Sequence, residues 1–282
     1  MRLIRRPAWT RPVPYAGDIE PWDVDRLRRV LAAMAVLGLG VAGWGVYSVL
    51  SPGTTEMTAQ AAATPRVAPT LTTAERREAI AAAAMLHVPP LSVQDPAPDT
   101  TQPAPITIPA PTGVGAARIP DGYPRTPEGA VGQLASVLAA VVQQMSLSYT
   151  QEVYSAWSAP NADVAAWPMT VNVRSFLGKT RMGAAKSVDA TIVAFPVAGQ
   201  VKGSDGPDWQ LACVLLDIRA TNRDGDQSKV LYGHCDPMQW DQGRWVIAAG
   251  AAAAPAPATW PGTALSAQAG WRPWRMDSDH QD

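Results

Sequence analysis

The chain has 282 residues, enough for one or two domains, but its 27 Pro and 22 Gly are spread unevenly, so the foldable part is shorter than the whole. A formal net charge of −1 excludes the broad basic field of a dedicated nucleic-acid binder, and no direct nucleic-acid partner is expected.

The first informative stretch is VLAAMAVLGLGVAGWGVYSVL, residues 30–50, which carries no charge. As a helix it is long enough to cross a bilayer core of ~30 Å. A secretory signal peptide is the competing reading. Such a peptide has a shorter apolar core and small residues at a cleavage site, whereas this run ends in Leu50-Ser51-Pro52. An uncleaved membrane span is the stronger expectation. Arg2, Arg5, Arg6, Arg11, Arg26, Arg28 and Arg29 precede it, and the next cationic residue is Arg66. The positive-inside rule then puts residues 1–29 in the cytoplasm and the C-terminal domain outside the cell membrane, with the lipid bilayer as partner of residues 30–50. Gly38 and Ala42 form a small-xxx-small step that offers a route to self-association.

Residues 51–122 read as an extracytoplasmic spacer. Within it TTAERREAIAAAAMLH predicts a helix over residues 72–87, opened by a Thr72/Glu75 capping box and closed by Pro89-Pro90. That helix either packs on a neighbour or stands alone. From Pro90 to Pro124 recurrent prolines and few large apolar residues predict an extended, semi-rigid linker.

Residues 123–250 read as the globular domain. Thr126 suits a helix N-cap, Pro127 the first helical position and Glu128 the positive helix end. Val131, Leu134, Leu138, Val141 and Val142 then recur at helical spacing. A second helix is expected after Thr150 through Trp157, and VRSFLG suggests a third. From Ser187 onward four β-rich runs alternate with turn residues. Helices followed by a curved, four-stranded antiparallel sheet give an α+β domain, and residues 251–282 read as an Ala/Pro-rich tail.

The two cysteines fall within this sheet. A three-residue loop Arg223-Asp224-Gly225 would place Gly225 in a left-handed position and set Cys213 directly across from Cys235. A two-residue loop would offset them by one. The three-residue register predicts a cross-strand disulfide at a non-hydrogen-bonded pair, where Cα atoms approach to about 4.5 Å. This removes Cys235 as a nucleophile or metal ligand. A zinc site needs about four well-spaced ligands, and with His87, His234 and His280 the only histidines, neither a metal nor another cofactor is expected.

In the same register Tyr232, His234 and Asp236 share the opposite face of their strand from Cys235. One reading is a pocket with a His and an Asp capable of acid–base work. The other is a histidine bonded to structure, with Asp236 lacking an evident partner. The structural reading is preferred, because no serine or second histidine completes a catalytic constellation, and no catalytic residue is assigned. Trp240 and Trp245 are expected to face each other across a Gln242-Gly243 turn.

The element order resembles the cystatin-like cone of the nuclear-transport-factor-two superfamily. The segments IPDGYPRTPEGAVGQLA (119–135), GPDW (206–209), the paired Cys213 and Cys235, MQWDQGRWVI (238–247) and TWPGT (259–263) resemble membrane proteins of actinobacterial integrative and conjugative elements. That architecture is similar to the bitopic scaffold subunits of type IV secretion systems. The resemblance implies a non-enzymatic assembly component of a conjugative DNA-transfer apparatus, partnered by other subunits of that complex. Two alternatives are a mammalian-cell-entry-associated protein of a lipid transporter and a small-ligand-binding cone that uses His234 and Asp236. Fold likeness alone does not decide among them.

Overall fold

The computed structural model describes residues 71–89, 102–160 and 162–277. The span expected at residues 30–50 and the tail expected at 1–29 lie outside them. Among the described residues no helix is long and apolar enough to cross a membrane. The longest, with 18 residues, packs on a sheet instead. The expected placement in a cell membrane is corrected accordingly, since no described helix supports it.

Helix α1 (Thr73–Ala82) opens with the expected capping box, but it ends at Ala82, short of the anticipated His87. It is not a lone spacer. Arg76 and Arg77 both pair with Asp205, Arg77 lies over the Trp209 ring, and Ala254 N–H donates to Ala81 O at 2.9 Å. Strand β1 (Ile106–Ile108) and the small hairpin of β2 (Gly113–Val114) and β3 (Pro120–Asp121) follow. Helix α2 (Pro127–Gln144) begins as expected, with the Thr126 side chain accepting from Gly129 N–H and Pro127 in the first turn. All five residues of its predicted stripe are buried. Helices α3 (Leu147–Trp157) and α4 (Pro168–Lys179) complete the helical layer, with α3 starting earlier than Thr150 because Ser146 caps it.

The long strands are β4 (Thr191–Ser204), β5 (Trp209–Thr221), β6 (Gln227–Asp241) and β7 (Arg244–Ile247). A short helix α5 (Ala264–Gln268) and strand β8 (Arg272–Met276) end the described chain. The sheet order is β1-β8-β4-β5-β6-β7. The expected four-stranded antiparallel sheet is therefore corrected to a six-stranded mixed one within an α+β fold. The two additional strands come from segments whose prolines suggested linker and tail. Ile106 and Ile108 sit buried on either side of Thr107, and β1 runs parallel to β8 with Ile106 opposite Trp274. Proline is tolerated in β8, whose pairing to β4 extends over only two residue pairs.

Both faces of the sheet are covered. Ala212, Val214, Leu216 and Met238 meet α2 and α3, with Leu134, Leu138, Trp157 and Trp245 in the main core. The opposite face, carrying Cys213, Leu215, Leu231 and Cys235, is roofed by Ala269 and Trp271 from the C-terminal segment. Trp271 locks this roof by donating its indole N–H to Pro257 O at 3.0 Å. The close approach needs Gly233, because a Cβ there would lie 2.8 Å from Pro257 O.

Candidate functional site

The β5–β6 hairpin has the three-residue loop. Gly225 takes φ +82°, Asn222 N–H donates to Asp226 O, and Cys213 pairs with Cys235. Their Cα atoms are 4.0 Å apart and the sulfurs are joined as a disulfide. Met85 Sδ stands 3.7 Å from Cys235 Sγ, so the bridge is sealed under the chain that follows α1. Next along, Gln242 and Gly243 turn with positive φ, and Trp240 meets Trp245 edge-on with ring centroids 5.4 Å apart.

The same register sends Tyr232, His234 and Asp236 to the helical side of β6, where they form one hydrogen-bonded chain. Asn172 Nδ2 donates to the Tyr232 oxygen at 2.7 Å. The Tyr232 hydroxyl lies 2.8 Å from His234 Nδ1, and His234 Nε2 lies 2.9 Å from Asp236 Oδ2. Tyr232 Oη and His234 Nδ1 share one hydrogen bond and His234 Nε2 and Asp236 Oδ2 the next, with the proton positions following the imidazole tautomer. Trp167 Nε1 donates to the same carboxylate oxygen at 3.0 Å. Burial pushes the Tyr232 phenol well above its ordinary range, with the nearby Asp236 charge acting in the same direction.

The three residues named from the sequence are thus brought together, and the expectation that Asp236 lacks a partner is corrected. Its partners His234 and Trp167 lie two and 69 positions away. His234 and Asp236 are buried, at 5% and 2% exposure. Sequence reasoning missed Trp167, Asn172 and Tyr154. The one local signal was Trp167-Pro168, a helix start that places Trp167 at the α4 N-terminus.

Asp236 also lines a cleft of about 320 Å³. One wall is the stacked pair Tyr154 and Trp167, with ring centroids 4.7 Å apart, and the other is the run Ala248–Ala252. Asp163 sits at the cleft, and burial, then Asp236, then Asp163 raise the Tyr154 phenol above its ordinary range. Tyr232 and His234 do not line this space; they reach it only through Asp236. Among the described residues no three His, Cys, Asp or Glu side chains gather as a metal-ligating cluster. The arrangement offers a carboxylate as a hydrogen-bond acceptor. Its imidazole has both nitrogens engaged, and its thiols are oxidised. No protein-family model, no curated protein and no solved structure matches the chain, so its functional reading rests on its own residues.

Proposed function

We propose that this chain is a non-enzymatic assembly component of a conjugative DNA-transfer apparatus. The observation that supports a non-enzymatic role is the internal commitment of the triplet. Both ring nitrogens of His234 are bonded to neighbouring side chains, and Asp236 Oδ2 takes two donors from the protein itself. A general acid or base must reach the proton that it moves, and this imidazole sits 5% exposed behind Asp236. The sequence segments between residues 119 and 263 that resemble integrative and conjugative element proteins support the choice of apparatus.

The test is cross-linking of the full chain in its native cells, followed by affinity recovery and identification of the captured proteins. Recovery of transfer-apparatus subunits is the expected result. Recovery of lipid-transporter subunits in their place, or of no such subunit, would overturn the proposal.

A further inference from the structure

We propose that the cleft lined by Asp236 binds an alkylammonium group. Asp236 is 2% exposed, yet only Oδ2 is satisfied within the protein. Oδ1 has no hydrogen-bond partner among the described residues. Oδ1 is not enclosed, because it keeps access to the cleft, and a donor arriving there meets an acceptor that the protein leaves open.

The electrostatics select a cation. Carboxylates are the charged groups that face the space, since Asp236 lines it together with Asp163. Among the described residues no Lys, Arg or His lines the cleft. Tyr154 and Trp167 line the cleft as a stacked pair, and the run Ala248–Ala252 suits a short apolar stem. A volume of about 320 Å³ falls at the small end of ligand sites, so the occupant is the size of a short amine or a single lysine side chain. The alkylammonium could belong to a free amine or to a lysine of another protein. This inference does not depend on the assembly role, and the two fail separately.

The test uses the full chain, ¹⁵N-labelled, with the Trp167 indole resonance assigned by its loss in Trp167→Phe. The probes are n-butylammonium, Nα-acetyl-lysine methylamide and, as the uncharged isostere, 1-butanol. Both ammonium probes are expected to move the Trp167 indole signal saturably, and 1-butanol to leave it in place. Asp236→Asn should weaken ammonium binding by about tenfold or more, since a charge-assisted bond is lost. Asp236→Asn also touches the buried chain. Ala166→Leu therefore serves as the second variant, because it fills the cleft from an exposed wall position and should abolish the shift with the fold retained. Tighter binding of the lysine amide than of butylammonium assigns the site to a partner's lysine, and the reverse assigns it to a free amine. An absent or non-saturating shift, equal binding of 1-butanol, or undiminished binding by Ala166→Leu would overturn the proposal.

Discussion

Trp167 donates its indole N–H to Asp236 across 3.0 Å and thereby ties the start of α4 to the middle of β6. Through His234 and Tyr232 the tie continues to Asn172, one turn further along the same helix. One strand and one helix are therefore joined at two points by polar bonds within an otherwise apolar layer. Such a network is strong when every member is satisfied and costly when one is removed. His234→Ala removes the central link, strands the Tyr232 hydroxyl and opens a cavity. It should lower unfolding free energy by about 2–4 kcal/mol. Asn172→Ala, at the exposed end, should cost less than about 1 kcal/mol. Urea titration of both variants checks the ranking.

The disulfide between Cys213 and Cys235 closes a 22-residue separation across two adjacent strands. Reduction should leave the sheet register intact, because the apolar pairs on either side hold it, but should destabilise the domain by about 3 kcal/mol. Thermal unfolding with and without reductant measures this directly. Non-reducing and reducing mass measurements of protein from its native cells test whether the bridge forms there. An equal melting temperature in the two states would contradict the assigned stapling role.

The C-terminal segment is part of the core. Trp271 is 1% exposed, lies over the disulfide face and makes its own hydrogen bond to Pro257 O. Trp271→Ala should cost about 3–5 kcal/mol, the range for removing a large buried aromatic. Truncation before Ala264 should expose the Cys213–Leu215 face and increase binding of a hydrophobic dye. A truncated chain with unchanged stability and no added dye binding would show that the segment does not roof the sheet.

Helix α1 is held to the β4–β5 hairpin by Asp205, which accepts from Arg77 at 2.8 Å and from Arg76 at 3.1 Å. The Arg77 hydrogen bond, acting against burial and assisted by Arg76, holds the Asp205 carboxyl below its ordinary range. A depressed carboxylate contributes stability that is present above its unfolded value and is lost as pH falls through the folded one. Docking of α1 should therefore be intact at neutral pH and weaken below about pH 4. Hydrogen exchange of residues 73–82 across that range should show α1 opening earlier in acid than the sheet does. In Asp205→Asn this acid-dependent difference should shrink to the part contributed by Glu75 of the capping box, which is also held below its ordinary range by Thr72.

Much of the hairpin was legible in the sequence because its rules are local. A Gly at the left-handed loop position sets the register, and the register alone pairs the cysteines and separates their face from that of His234. The strand count was not legible. Prolines around Ile106 and Ile108 mask a short edge strand whose partner, β8, lies over 160 residues away. A stronger clue was present in WQLACVLLD, nine consecutive buried residues of β5. A strand apolar without alternation is covered on both faces, and that covering comes from the tail and from α1 with the residues after it. The Trp167–Asp236 bond left no pattern at all, since it joins residues brought together only by the packing of α4 on β6.

Tyr232, His234 and Asp236 brace the sheet to α4. A double-mutant cycle between Trp167→Phe and Asp236→Ala, read by urea unfolding, tests this central claim most directly. The brace predicts that each variant is destabilised and that the pair is coupled by about 1–2 kcal/mol. A coupling indistinguishable from zero, with little loss in either single variant, would contradict it.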